Sequence, residues 1–533
     1  MTADTRDASG HRPSWHLAGS LRVISSWTLL SRVLGYARDA LMAAVLGGSS
    51  WQVDTFLTAF PIPNLFRRVF GEGALASAFL PVFSETRQRE GEQAAWRFAS
   101  FAFSLLTAAL VVLAAVGEVV FWIVLRLGLA TDRSALLLRL LLVLFPYLVP
   151  ICLAALLASM LQALGRFGRP AFAPILLNLC WIGALGLLWW QRPGAEQETW
   201  VMVLAVAVLI SGLLQMAVIY HGVRQCGGGL RWRWERADAR LRQMLTLMLP
   251  AAVGAAVFQL NVLADRFIAL YAIPQPGGVL ALYLGMRVIQ FPLALIGIAM
   301  GTVALAALSD YVGREDEDGF RRTLASTLSG VMVLAVPASV GLMALAGPTV
   351  RLLFEWRAFS HQASMRTAGV LVFYGVGLWA YCLQHVLTRA YYARKDMRTP
   401  VRIGLPMVGV NLALNLALVG PLAEAGLALA TAVTAALQVA LLAWGLRSWL
   451  EGEPWRRLRS VSTRTVAASA GMGAAVLATL RLLPPLDVGV WARLAAVGVP
   501  LVIGVGTYLG LSFVLGTEEV WELLRPRGKS SLR

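Results

Sequence analysis

Fourteen mainly apolar stretches, each long enough to cross a bilayer, follow one another along this chain. They fall at about 21–47, 54–83, 98–125, 136–163, 171–190, 199–223, 243–272, 279–312, 323–349, 367–393, 399–420, 424–446, 465–483 and 491–515. A spanning helix needs about 20 mainly apolar residues. Within lipid, backbone N–H and C=O groups must be satisfied inside the segment or in a closed barrel. A succession of stretches this long predicts an all-α polytopic membrane protein with fourteen transmembrane helices. Composition agrees, with 58% hydrophobic and only 14% charged residues, against about 25% charged in soluble domains. The net charge of +17 would suggest nucleic acid in a soluble chain. Here the basic residues gather between apolar stretches, so they read as topology signals and no nucleic-acid partner is expected.

Placing the N-terminus inside puts 28 Lys/Arg in the inner segments and 6 in the outer loops, with 12 inside the stretches. That bias predicts both termini on the cytoplasmic side. The first 20 residues are polar and do not read as a signal peptide. The longest basic connection carries Arg224, Arg231, Arg233, Arg236, Arg240 and Arg242 and follows the sixth stretch. It divides the chain into an N-lobe of six spans (1–223), a basic cytoplasmic linker (224–242), a C-lobe of six spans (243–446), and a C-terminal helix pair with a basic tail (447–533). Two six-helix lobes are the natural expectation, because many carriers are built from structural repeats.

The informative residues are charges inside apolar stretches. Arg32, Arg38, Asp39, Arg67, Arg68, Glu72 and Arg287 would each cost roughly 2.5–3.5 kcal/mol at a helix centre, on the order of 20 kcal/mol together. They are expected to face a watery cavity or one another. Five are cationic and two anionic, so the cavity is expected to suit an anionic ligand, and guanidinium forks fit phosphate oxygens. Arg32 and Asp39 stand seven apart and share a helix face. The alternative for Arg38 and Asp39 is a local ion pair or a snorkelling helix end. In the second stretch, Pro61, Pro63, Gly71 and Gly73 make a regular helix unfavourable, as expected of backbone lining a cavity. Arg68 and Glu72 are spaced to pair, which leaves Arg67 for ligand. Asp54 reads either as the N-cap of this segment or as a gating residue at the outer mouth. Arg287 has no acidic neighbour one turn away. Arg266, beside Asp265, reads as paired with a nearby group or reaching an interface.

No enzyme motif accompanies these charges. The four cysteines and five histidines form no CxxC, HExxH or other metal-ligand spacing, and no phosphate loop or nucleophile–base pattern occurs. Transport is therefore expected rather than catalysis.

The residues that carry these charges resemble the MurJ (MviN) family. The resemblance rests on Ser31 through Asp39, Asp54-Thr55-Phe56, Pro63 through Ala74, and Ala78 through Glu85. Arg287 with Phe291-Pro292, and Arg394-Lys395-Asp396 through Thr399-Pro400, match later landmarks. What it implies is a lipid II flippase of the multidrug/oligosaccharidyl-lipid/polysaccharide exporter superfamily in the bacterial inner membrane. Such a protein carries the undecaprenyl-pyrophosphate-linked peptidoglycan precursor to the periplasmic leaflet, with membrane lipid around it. By this resemblance Arg32, Arg38 and Arg287 are cavity arginines, Asp39 is their acidic partner, Arg67 handles substrate, and Asp54 and Glu72 gate. Some family members bind sodium. Asp265, Asn411, Asn415 and Thr431 fall where its ligands lie, although Asn415 stands where those members have a carboxylate, and a polar helix-packing cluster explains the same residues. No other cofactor is implied, and drive or reset by the membrane potential is expected. Two other readings stay open at this point: an exporter of another undecaprenyl-pyrophosphate-linked glycan, and a cation-coupled drug antiporter.

Overall fold

The computed structural model describes residues 14–67, 75–128, 130–191, 194, 196–234, 239–450, 452–483 and 489–524, and all regular structure among them is helical. Ten described helices are long and apolar enough to cross a bilayer. One of them, 48 residues long, covers two expected spans, an arrangement with which fourteen crossings are consistent. The chain packs as two compact units. The first holds the described residues of Met1–Leu46 and Ser50–Leu263, the second those of Gly47–Ser49 and Ala264–Arg533.

The first unit begins with α1 (Ser14–Leu46), continuous through Gly35. Next come α2 (Trp51–Ala59), α3 (Pro61–Phe66) and α4 (Leu75–Arg89), the broken second stretch. Ser50, not Asp54, caps α2: its hydroxyl accepts from the Val53 N–H at 3.3 Å. Asp54 lies one position beyond Val53, inside the first turn, and is 3% exposed. Pro61 and Pro63 start the short α3, where a missing N–H costs nothing in a first turn.

Long helices α5 (Glu92–Arg126), α6 (Asp132–Leu144), α7 (Leu148–Ala163), α8 (Gly168–Gln191) and α9 (Gln197–Gln225) follow. A single 3-10 turn at Phe145–Tyr147, containing Pro146, joins α6 to α7. The core of this unit includes an aromatic stack, Phe79 on Phe83 at 5.4 Å and on Phe98 at 5.5 Å. On α5, Val112, Val116 and Val120 recur every four residues and stay exposed. An apolar stripe of this kind on a spanning helix is a face for lipid.

Helix α10 (Ala239–Ala272) runs from the first unit into the second. The second unit continues with α11 (Gly278–Pro292) and α12 (Ala299–Gly313), joined by a π-spaced turn at Leu293–Ile298 directly after Pro292. It goes on through α13 (Glu317–Ala344), α14 (Ala346–Phe354), α15 (His361–Ala393) and α16 (Arg398–Gly445). α16 breaks at Ala423, with φ 48° and ψ −132°, just after Pro421, so its arms are the eleventh and twelfth stretches. Gly277, at φ 99°, lies so close to the Gly48 carbonyl that a Cβ would sit 2.2 Å from the oxygen. Only glycine fits there.

Short α17 (Arg447–Leu450) leads to α18 (Glu453–Leu482), α19 (Gly489–Val514) and α20 (Glu518–Leu524). Met472 and Val476 of α18 and Tyr508 of α19 pack with Val333 of α13. The Tyr508 hydroxyl donates to the Val333 carbonyl at 2.7 Å, satisfying a buried polar group within an apolar contact.

Candidate functional site

In the first unit the charges of α1 divide into two kinds. Arg38 and Asp39 are buried, at 4% and 0% exposure. The Arg38 Nε and Nη2 both donate to Asp39 Oδ1, at 2.9 and 2.7 Å. The Arg38 guanidinium also lies 4.5 Å from the Trp181 ring centre. Trp181 is held edge-on to Phe56 and Phe60 of the α2–α3 region, at 5.1 and 5.4 Å. One turn earlier on α8, Asn178 donates to the Ser31 carbonyl at 3.0 Å and fastens α8 to α1. The local ion pair foreseen for Arg38 and Asp39 is therefore present, and an aromatic face supports it. Arg32 is exposed and makes no ion pair or hydrogen bond among the described residues. Among the described side chains of α1, Arg32 is the exposed cation.

Arg67 follows α3, half-buried, with its Nε donating to Asn64 Oδ1 at 3.2 Å. The Asp54 carbonyl accepts from the Thr58 hydroxyl at 2.8 Å. Arg68 and Glu72 lie outside the described residues.

In the second unit, Arg287 of α11 reaches Gln290 at 3.4 Å. Its guanidinium lies 5.9 Å from the Tyr283 ring centre, and that of Arg266 on α10 lies 5.8 Å from the same ring. Two cations thus share one aromatic ring. Tyr283 stands one turn before Arg287, a spacing visible in sequence. The long-range approach of Arg266 is not.

A separate polar cluster crosses from α10 to both arms of α16. The Asn415 Nδ2 donates to Asp265 Oδ1 at 2.6 Å and to Asn411 Oδ1 at 3.0 Å, and the Asn411 Nδ2 donates to Thr434 Oγ1 at 3.4 Å. Thr431 instead donates to the Leu427 carbonyl of its own helix at 3.0 Å, the usual back-bond of a mid-helix threonine. Asn415 Oδ1 is buried without a hydrogen-bond partner among the described residues. The donor set is oxygen-rich and fits a hard cation. It supplies one carboxylate, because residue 415 is an amide. No group of three or more His, Cys, Asp or Glu with metal-site geometry occurs among the described residues.

Sequence reasoning missed an ion pair between half-buried Arg366 and buried Glu424. Arg366 donates from Nε and Nη2 to the two oxygens of Glu424, at 2.6 and 3.0 Å, and from Nη1 to the Pro276 carbonyl at 2.6 Å. It ties α15 to the break in α16 and to the α10–α11 connection. Arg366 reads in sequence as a loop cation and Glu424 as a helix-start acid, and nothing local links them.

The family model described as "Lipid II flippase MurJ" matches residues 42–495. A "Probable lipid II flippase MurJ" of Rhizobium tropici is 34% identical, over 93% of this chain and 94% of its own length. The "Lipid II flippase MurJ" of Burkholderia cenocepacia is 32% identical, over 94% and 98%. Among solved structures, a "Lipid II flippase MurJ, inward closed conformation" aligns with a TM-score of 0.75 at 23% identity, over 94% of this chain and 99% of that one. An inward-facing multidrug resistance MATE family transporter of the MOP superfamily aligns with a TM-score of 0.65 at 12% identity, over 81% and 99%. These two share the fold. Together with the helical architecture, the match from residue 42 to residue 495 shows that this chain belongs to the lipid II flippase MurJ family.

Proposed function

We propose that this protein flips lipid II, the undecaprenyl-pyrophosphate-linked peptidoglycan precursor, from the cytoplasmic to the periplasmic leaflet. It is a transporter of the inner membrane serving cell-wall synthesis, and it makes and breaks no bond. The observation that carries this reading is the extent of the family match, 93% of the chain against a relative named for that activity. The arrangement of charge supports it. A pyrophosphate cannot enter hydrocarbon unaided, and guanidinium groups offer its oxygens donors in place of water. Arg32, Arg67 and Arg287 are the contacts we assign to the headgroup. Arg38 acts with Asp39 and Trp181 as a fixed charge behind them, and Asp54 and Glu72 act in gating. Alternating access exposes the bound headgroup to each leaflet in turn. An inside-negative potential favours outward movement of anionic charge by about 2.3 kcal/mol per charge per 100 mV. We place both termini in the cytoplasm, as the arginine bias requires.

Complementation tests the reading. In bacteria depleted of their own flippase, the wild-type chain restores growth, while Arg32→Ala and Arg287→Ala reach the membrane at equal immunoblot levels and fail. Rescue by both variants would overturn the site assignment. Failure of well-expressed wild type would move the substrate to another undecaprenyl-pyrophosphate-linked glycan.

The unpartnered Asn415 Oδ1 favours a second reading for the polar cluster, a sodium site formed with Asp265 and Asn411. Thr431 contributes if its hydroxyl oxygen turns toward them. Raising sodium against potassium at constant ionic strength then raises the melting temperature of the purified protein. Identical curves in the two salts leave the cluster a helix-packing network.

A further inference from the structure

Beyond α9 the chain forms an extended ribbon that the transport reading does not use. Gly228 sits under Trp96, where a Cβ would lie 2.5 Å from the indole, and its N–H bonds the Val223 carbonyl at 3.1 Å. This turns the chain back along α5. Leu230 then packs against the aromatic core. The Arg231 N–H donates to Ser100 Oγ at 3.3 Å and the Arg233 N–H to Ser104 Oγ at 3.0 Å. The match is geometric: four residues of α-helix advance about 6 Å, and two residues of extended chain about 6.6 Å. The ribbon therefore runs parallel to α5, and it does so where the third apolar stretch begins.

Along this segment Arg231, Trp232 and Trp234 are exposed and Arg233 is half-buried. The two indoles are 66% and 60% exposed and make no hydrogen bond or ring contact among the described residues. Arg231 is exposed, as is Arg224 in the last turn of α9, and neither forms an ion pair among the described residues. Exposed tryptophans beside arginines, fixed at the start of a spanning helix, match the chemistry of the membrane interface. Indole settles at the headgroup boundary and guanidinium on phosphate.

We propose that the Arg231–Trp234 ribbon is a binding site for the phosphodiester headgroup of an anionic phospholipid in the surrounding bilayer. Arg231 supplies the charge, and Trp232 and Trp234 lie along the glycerol and upper acyl region. The backbone bonds to Ser100 and Ser104 hold the ribbon in place, so side-chain changes leave its path intact. The proposal does not depend on which lipid-linked precursor the protein carries.

Native mass spectrometry of the full-length protein, titrated with phosphatidylglycerol or with phosphatidylcholine of the same acyl chains, tests it. Wild type retains phosphatidylglycerol in preference, and the preference shrinks as salt is raised. Arg231→Gln weakens phosphatidylglycerol binding by about fivefold and leaves phosphatidylcholine unchanged. Equal retention of both lipids by wild type, or an unchanged preference in the variant, overturns the proposal. Should that variant fail to fold, Trp232→Phe/Trp234→Phe gives an independent reading. Brominated phosphatidylglycerol then quenches a smaller share of the tryptophan fluorescence than in wild type, and an unchanged share counts against the site.

Discussion

Two ion pairs among the described residues, one in each unit, solve the same problem by different means. Arg38 and Asp39 are neighbours in one helix, and an aromatic face from α8 completes their environment. Arg366 and Glu424 are 58 residues apart and meet in a two-pronged contact completed by the Pro276 carbonyl. The first pair keeps charge at a chosen depth within a helix. The second ties three chain segments together where α16 changes direction. One is a device for holding charge and the other a fastening, and the two should respond differently to loss of a partner.

The largest effect is expected at the fastening. Glu424→Leu strands the Arg366 guanidinium, and breaking a buried pair in this way costs about 3–5 kcal/mol. Thermal unfolding of the detergent-solubilised protein should show a large drop in melting temperature. A variant as stable as wild type would break the comparison. Next comes Trp181→Leu, which removes the ring beneath Arg38. A desolvated cation–π contact is worth about 2 kcal/mol, and complementation should fall while membrane levels hold. Trp181→Phe keeps a ring and should retain most activity, so equal behaviour of the two variants would show that bulk, not the aromatic face, supports Arg38.

The smallest effect is expected at Asp396, an acid at a helix start with no buried cation. Its Oδ1 accepts from the Arg398 and Thr399 N–H groups, both at 3.0 Å. The Thr399 hydroxyl first, and then these N–H groups, hold the carboxyl below its ordinary value. A lowered carboxyl contributes stability above its unfolded pKa and loses it as pH falls through the folded value. Asp396→Ala should therefore cost about 1 kcal/mol from pH 5 to 8, and the deficit should shrink as pH falls below about 4 through the folded value. A deficit that does not shrink there would mean that the carboxylate is not the cap.

The sequence already disclosed what depends on near neighbours or on solvent. The apolar stretches, the irregular second segment and the Arg38–Asp39 pair follow from spacing and composition, because lipid forbids exposed backbone and isolated charge. Asp54 misled because an acid near a helix start resembles a cap, yet Ser50, four residues earlier, takes that role. The contacts that were not legible join distant helices: Trp181 beneath Arg38, Arg266 beside Tyr283, Thr434 with Asn411, and Arg366 with Glu424. Each depends on which helix packs beside which, and hydropathy is silent on that. The Gly228–Trp234 ribbon was visible only as part of a basic loop, read equally as a topology signal and as a surface for anionic headgroups. Its path along α5 needed the serine spacing of one element to meet the extended spacing of another.

The π-spaced turn at Leu293–Ile298 has a consequence for how this chain can vary in length. Such a turn carries one more residue than α spacing requires, and each α-helical residue rotates the chain by about 100°. Loss of one codon inside 293–298 would convert the turn to α spacing while α11 and α12 keep their faces toward the same neighbours. Loss of one codon within α11 or α12 would swing every later side chain out of register. This turn is thus the place in the eighth crossing where an insertion or deletion is cheapest to fix in evolution.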